Sequence, residues 1–415
     1  MLTVSRDVCQ RIIEEVYIPG IRKYFPEALE ELRGIADGAG LPLEDIILIN
    51  ARYDLARVRG KNIRPYPRQN TASIAQAVKE SSQNQIGQFT NGLAAHWKYL
   101  EDESANEATK LTNGQSDSNV HHENDDIANE CTTAGFLMES TANGDVIVAQ
   151  NWDMSANIFL NDTAIFLEVH PDPSEDLPII FVTTEAGQLG RSGMNSAGLG
   201  VCASSIMSTE DYFPIDLSLP PGASQEPLVP MSLMRRQFLH NSNFANALIN
   251  VRNIPRHVSN NIVVGTADSF VMALEITPSV VHLVYPEGND NFIVHANNFV
   301  GTSFHASPWS DRYPGGSSWF RGFRVTRNVR PYNQGSLTEN KIIQAFSDHL
   351  SKPTAVCQHM EDCTVKNVPD YPYKGAQTTI GHFQYNLTQR TIMTCKGPPC
   401  IGHFEKFRIK STSNV

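Results

Sequence analysis

The feature that most constrains this chain is a change of character at Cys131. Before it, S-S-Q-N-Q at 81–85 and T-N-G-Q-S-D-S-N-V-H-H-E-N-D-D at 112–126 are rich in Ser, Asn, Gln and Asp. Such a composition cannot bury enough apolar surface to offset its ordering entropy. Residues 60–130 therefore read as a low-complexity, disordered insertion, with a helical piece near Ile74–Glu80. After Cys131 the chain turns to short runs rich in β-branched and aromatic residues, each bounded by Asn, Asp, Gly or Pro. They are T-T-A-G-F-L-M-E-S from Thr132, G-D-V-I-V-A-Q-N-W-D from Gly144, T-A-I-F-L-E-V-H from Thr163 and P-I-I-F-V-T-T-E-A from Pro178. Strands resume at N-I-V-V-G-T, F-V-M-A-L-E-I and F-I-V-H-A-N, and close at T-T-I-G-H-F-Q-Y and R-T-I-M-T-C.

Helical spacing governs the rest. Leu29, Leu32, Ile35 and Ala36 recur on one face of an expected helix over 4–37, where Pro26 suits a first turn. The run G-A-G-L-P-L-E-D at 38–45 breaks it, and a second helix starts at Leu43. Further helices are expected over 228–252 and 336–350. Hairpins grouped between helices predict an α+β fold of antiparallel sheets covered by helices.

Charge and cysteine usage exclude several classes. The formal net charge of -11 argues against a nucleic-acid or anionic-membrane surface. No run of about 18 apolar residues suggests a membrane span. The first residues are charged and amphipathic, without the apolar region of a signal peptide, and S-T-S-N-V at the end is not a peroxisomal address. Seven cysteines, an odd count, read as reduced thiols and a cytoplasmic protein. No glycine-rich phosphate loop supports a nucleotide cofactor.

Cysteine is most often a small buried hydrophobe, and Cys202 in L-G-V-C-A-S-S reads that way. Cys131 differs. It ends a polar linker, where a chain is exposed and cleavable, and it opens a strand. That is where self-cleaving N-terminal nucleophile enzymes place their nucleophile. The thiol attacks the preceding carbonyl, and the freed α-amine, of ordinary pKa about 7.7–8.0, becomes its base.

Four groups of residues carry a family resemblance. F-P-E-A-L-E-E-L-R-G-I-A-D-G-A-G-L-P-L-E-D-I-I-L-I-N-A-R spans 25–52; C-T-T-A at 131–134 goes with A-Q-N-W-D at 149–153; T-E-A-G-Q-L-G-R-S-G-M-N-S-A-G-L-G-V spans 184–201; V-H-A-N-N-F at 294–299 goes with S-W-F-R-G-F-R at 318–324. Together they resemble the acyl-coenzyme A:6-aminopenicillanic acid acyltransferase (isopenicillin N acyltransferase) family, peptidase family C45 of the N-terminal nucleophile hydrolases. The resemblance implies an αββα four-layer sandwich of two antiparallel sheets between helices. It implies a helical pro-segment at 1–59, an insertion ending at the cleavage site Glu130–Cys131, and a catalytic domain at 131–415. It implies acyl transfer through a thioester on Cys131, from an amide or acyl-coenzyme A donor to water or to an amine such as 6-aminopenicillanic acid. Coenzyme A would be a substrate, with no bound cofactor, no metal and no macromolecular partner beyond the chain's own two fragments. A plain linear-amide hydrolase and an unprocessed, inactive relative remain the alternatives.

By the same resemblance Asp153 orients the new amine and Asn297 donates to the oxyanion, with Asn298 as the register-slipped alternative. Asp153 and Asn297 also fit ordinary strand-end turns. Asn151 shares a strand face with Asp153 and is expected in the same site. Thr132 and Thr133 supply hydroxyl or N–H groups near the nucleophile, or are plain strand residues. Arg321 either pairs with a carboxylate and orients the pocket or is a solvated surface residue. A late basic residue falls on Lys374. Glu185, Gly187, Gly193 and Asn195 read as hairpin geometry. The chain departs from the family at Glu130, where relatives carry a glycine that lets the backbone strain toward its nucleophile. Cys395-x4-Cys400 with His403 does not match a zinc finger, and Cys357 and Cys363 form no C-x2-C pair.

Overall fold

The computed structural model describes residues 5–58, 64–67, 131–313, 316–363 and 376–409. The expected helix at Ile74–Glu80, the rest of the insertion, Glu130 and Lys374 lie outside the described residues.

Two antiparallel sheets stand face to face. Strands β1 (Thr132–Phe136), β2 (Ile147–Ser155), β10 (Phe292–His295), β11 (Gln377–Asn386), β12 (Thr391–Lys396) and β13 (Glu405–Arg408) form a six-stranded sheet in the order β10-β1-β2-β11-β12-β13. Strands β3 (Ala164–Val169), β4 (Ile180–Glu185), β5 (Ser192–Asn195), β6 (Leu199–Ser204), β7 (Asn260–Thr266), β8 (Phe270–Ile276) and β9 (Val281–Val284) form a seven-stranded meander in chain order. Each neighbour in that meander is also the next strand in sequence, the short-connection rule at its simplest.

The period of two along each strand decides what lies between the sheets. Val148, Trp152, Phe181, Met194, Cys202, Val263 and Val271 fill the slab between them. The alternate residues Val182, Val201, Ile262, Val264 and Leu274 turn outward and meet helices. Those helices are α1 (Arg6–Ile12), continued by a π-helical turn at Ile13–Tyr17, then α2 (Ile18–Tyr24), α3 (Pro26–Ala39) and α4 (Leu43–Arg57), with α6 (Met231–Leu239) and α7 (Phe244–Asn253). On the far side, Phe136, Ile147 and Ala149 pack beneath α9 (Ser317–Val329) and α10 (Glu339–Phe346). Each large apolar side chain buried this way contributes ~1.5–3 kcal/mol. The four layers are the αββα arrangement expected, and residues 6–57 supply part of one layer rather than a separate body. Among the described residues no helix is long and apolar enough to cross a membrane.

Two short helices, α5 (Ala156–Leu160) and α8 (Thr302–His305), complete the described set. Close approach is visible at Gly20, where a Cβ would fall 1.9 Å from the carbonyl oxygen of Leu228. The expected front helix is interrupted at Phe25 and restarts with Pro26 in the first turn of α3, which ends at Gly40 in the left-handed region. The single helix expected over 228–252 is two. Its break falls at Asn241–Asn243, where the Asn243 side chain accepts from the amide of Asn246 and starts α7. Within 60–130, the described piece is not loose. Arg64 bridges to Tyr212 and its guanidinium lies 4.6 Å from the Trp309 ring, and the Tyr66 hydroxyl donates to Glu226.

Candidate active site

Cys131 immediately precedes β1, which is paired on both edges, with β2 and β10. Thr132 stands opposite Asn151, which puts Trp152 across from Cys131 and Asp153 one residue on. The thiol is wholly buried in the slab between the sheets. Its sulfur lies 3.8 Å from the carbonyl oxygen of Asp153 and 3.6 Å from Nη2 of Arg191. The Arg191 guanidinium sits over the Trp152 ring at 4.3 Å and faces the Tyr53 ring at 5.3 Å. Tyr53, from α4, donates in turn to the buried carboxylate of Glu185, which also pairs with Arg52. The N-terminal helical segment thus reaches the thiol through an aromatic ring. A cation held between rings beside a sulfur offsets negative charge that develops there.

Two further buried guanidiniums lie in the same region. Arg57 donates to Ser205 Oγ at 2.7 Å and to the carbonyl of Ser259. Arg235 donates to Asn260 Oδ1 at 2.6 Å. Burial, and then the charges of Arg191 and Arg57, bring Arg235 down to about 9, with Asp54 pulling the other way. Burial pushes Asp54 up to about 6 despite a hydrogen bond from Met231 N–H and the charges of Arg57 and Arg235. Nε of Arg191, Nε of Arg235 and Nε1 of Trp152 are buried without a hydrogen-bond partner. Unpaired buried donors of this kind are costly, each by about 1–3 kcal/mol.

Arg321 on α9 organises the other side. Its Nη1 donates to the carbonyl oxygen of Cys131 and to Thr132 Oγ1, both at 2.8 Å. Its Nη2 donates to Asn297 Oδ1 at 2.8 Å and its Nε to Ser317 Oγ at 3.2 Å. The residue is fully buried, so it is not the solvated arginine that the sequence left open. Asn297 is fixed at three points: Oδ1 by Arg321, Nδ2 by donation to the carbonyl of Ser205 at 2.7 Å, and its main-chain N–H by donation to Ser318 Oγ. An amide carries two N–H donors, and the bond to Ser205 uses one. Asn298 instead accepts from Ser318 and donates toward the carbonyl of Phe299, so Asn297 is the residue joined to Cys131 through Arg321.

Asp153 is held from the side of β11: its Oδ1 accepts from Thr379 Oγ1 at 2.5 Å. Its main-chain oxygen is the atom that meets the thiol. Asn151 does not enter this site, contrary to expectation. Its Nδ2 donates to the carbonyls of Phe346 and Val356, at 2.9 and 2.8 Å, and its Oδ1 meets Nδ1 of His382 at 2.7 Å. Those carbonyls close α10 and lie well along the loop that follows it, where main-chain acceptors lack helical partners, and the amide is spent satisfying them. Burial brings His382 down to about 3. Thr133 is a strand residue whose hydroxyl donates to the carbonyl of His295 at 3.0 Å, while Thr132 lends its oxygen to Arg321.

Of the residues expected to set hairpin geometry, Glu185 instead binds Tyr53 and Arg52, and Gly193 lies inside β5. Gly187 has φ +84, a Cβ on Gly193 would fall 2.2 Å from the Phe181 carbonyl oxygen, and Asn195 caps two carbonyls near the end of α6. The sequence reading passed over Arg191, Arg57, Arg235 and Tyr53. A signal was present: Arg191 stands in G-Q-L-G-R-S-G among residues that have no other reason to carry a charge between buried strands. A cavity of about 500 Å³ lined by Asp145, Ile147, Glu339 and Asn386 lies at the opposite end of β2 from Cys131.

No family profile and no curated protein sequence matches the chain. Among solved structures it is similar to penicillin V acylase from Agrobacterium tumefaciens, at 12% identity, 67% of this chain, 86% of that one and a TM-score of 0.37. It is also similar to a variant of the conjugated bile acid hydrolase from Clostridium perfringens, at 11% identity, 68% of this chain, 98% of that one and a TM-score of 0.38. Penicillin G acylase from Alcaligenes faecalis aligns at 9% identity over 52% of this chain and 51% of that one, with a TM-score of 0.36. Likeness at this level assigns no activity. The chain's own features are a four-layer α+β sandwich with a buried cysteine at the head of an inner strand, gripped by two arginines.

Proposed function

We propose that this chain is a cysteine N-terminal nucleophile enzyme that moves an acyl group from an amide or a coenzyme A thioester to an amine or to water. The observation that carries the reading is the pair of arginine contacts at Cys131: Arg321 at its carbonyl and Arg191 at its sulfur. A cysteine that merely filled the core would need neither.

In the first step the Cys131 sulfur bonds to the carbonyl carbon of Glu130, the C–N bond breaks, and the thiol proton passes to the departing nitrogen, which becomes the primary amine of Cys131. Water then adds to the thioester and the C–S bond breaks, leaving a carboxylate on Glu130 and both a free thiol and a free amine on Cys131. That amine serves as general base for the same thiol, with Asp153 as its orienting acceptor. In turnover the thiolate adds to the donor carbonyl. The second N–H of Asn297 supplies the oxyanion donor, an interaction whose loss costs about 2.7–4 kcal/mol of transition-state stabilisation. The amine or thiol leaving group departs, and an amine such as 6-aminopenicillanic acid, or water, takes the acyl group.

Full burial of Cys131 in the intact chain favours one other reading, an unprocessed relative without activity. Incubation with an amide donor and with an acyl-coenzyme A separates the readings. The proposal expects an acyl adduct on Cys131 by mass and product partition between water and added amine. A water-only product makes it a linear-amide hydrolase. No adduct with either donor sinks the enzymatic reading.

A further inference from the structure

Four side chains outside the thiol site converge where the loop after α10 meets the connection between β12 and β13. His349 follows α10, Cys357 and His359 lie in the loop that leads to the 3-10 turn Met360–Asp362, and Cys400 lies in the connection between β12 and β13. We propose that His349, Cys357, His359 and Cys400 bind a zinc ion.

Four of the six separations between the donor atoms lie close to the edges of a zinc-sized tetrahedron. Zinc–sulfur bonds of ~2.3 Å and zinc–nitrogen bonds of ~2.05 Å imply edges of about 3.8 Å between sulfurs, 3.6 Å between sulfur and nitrogen and 3.3 Å between nitrogens. The Cys357 and Cys400 sulfurs are 3.7 Å apart. Nε2 of His359 lies 3.6 Å from the Cys357 sulfur, 3.2 Å from the Cys400 sulfur and 3.1 Å from Nε2 of His349. All four donor atoms fall within 4.8 Å of one another. One imidazole nitrogen makes a single hydrogen bond, as donor or as acceptor, so three polar atoms crowding Nε2 of His359 are not explained by hydrogen bonding. Two thiolates and two imidazoles are a donor set that zinc prefers, and four protein ligands leave no open position. The ion is therefore structural.

The segment it would pin leads to the candidate active site. Gln358, between two of the ligands, donates its N–H to Thr379 Oγ1 at 2.9 Å and accepts from Thr379 N–H at 3.1 Å. Thr379 in turn donates to the Asp153 carboxylate. Zinc in this place holds the loop that holds Asp153. The sequence spacing of Cys395, Cys400 and His403, and of Cys357 and Cys363, argues against a metal, and no metal is expected from it. In the fold the Cys395 thiol faces the carbonyl of Gly397 and the Cys363 thiol faces that of Gln377. The pattern H-x7-C-x-H-x40-C brings its last ligand from a different hairpin, which no local spacing reveals.

The test is metal analysis of the full chain purified without chelator, before and after adding zinc chloride alone. The expected result is one zinc per chain, retained in Cys363→Ser and Cys395→Ser. In His349→Ala and Cys400→Ser, zinc should fall to about a tenth or less. Cobalt in place of zinc should give the visible absorption of a tetrahedral thiolate site, which does not depend on activity. Wild-type chain that neither carries zinc nor takes it up overturns the proposal. So does an intact mass short by two hydrogens with Cys357 and Cys400 joined as a disulfide, or zinc that survives loss of Cys400 and His349.

Discussion

Cys131 and Cys202 lie in the same slab between the two sheets, and both are wholly buried. Their surroundings differ. Cys202, on β6, has apolar neighbours, and burial pushes its thiol well above the ordinary range, so it stays a neutral filler. Cys131 meets a guanidinium at its sulfur and another at its carbonyl. Burial alone therefore does not distinguish the two cysteines. What separates them is charge delivered by residues far away in sequence, Arg191 just before β5 and Arg321 on α9.

The sharpest way to break the comparison is to exchange the fates of the two thiols. Cys131→Ala is expected to abolish self-cleavage and acyl-adduct formation altogether. Cys202→Ala should leave both intact and cost only on the order of 1 kcal/mol of stability through the small cavity it leaves, read by denaturant unfolding. Next in size is Arg321→Met. It strands buried acceptors on Cys131, Thr132 and Asn297 and should cost about 3 kcal/mol or more, along with processing. Arg321→Lys should not rescue it, since an ammonium cannot reproduce the fork that spans those oxygens. A smaller effect is expected of Arg191→Met, which keeps the packing against Trp152 but removes the charge. Alkylation of Cys131 in the processed chain should slow by about tenfold, equivalent to ~1.4 kcal/mol, with little change in stability.

The smallest effect concerns Glu275 of β8, whose carboxylate binds His295 at the end of β10, two residues before Asn297. Burial would raise this acid, but the hydrogen bond and charge of His295, with the amides of Val300 and Gly301, bring it below the ordinary glutamate range. A depressed carboxylate adds stability above its unfolded pKa and loses it as pH falls through the folded value. Unfolding free energy should therefore decline on acidification below about 4.5, the usual glutamate value. The decline should be shallower in Glu275→Gln.

The fold was legible where local pattern and burial agree. The alternation in D-V-I-V-A-Q-N-W-D became β2 with Val148 and Trp152 inward and Ile147 and Ala149 outward. The edge strands β9 and β13 went unseen because they are four residues each, β9 partly and β13 largely exposed, without a clean apolar face. In the site, Cys131 and Asp153 stood in recognisable stretches, and Arg321 and Asn297 are joined as neighbours. Asn151 misled because sharing a strand face with Asp153 does not fix which carbonyls an amide will satisfy. Arg191, Arg57 and Arg235 were hidden by distance: the facing of the two sheets brings Arg191 to Cys131, and the stacking of α4 and α6 on the second sheet brings Arg57 and Arg235 toward it.

The most direct measurement is the intact mass of the purified chain beside Cys131→Ala, with the N-terminal sequence of the larger fragment. The account predicts two fragments from the wild type, the larger beginning at Cys131, and a single uncut chain from the variant. A wild-type chain that stays whole under conditions where it is folded would contradict the claim that Cys131 exists to become an N-terminus.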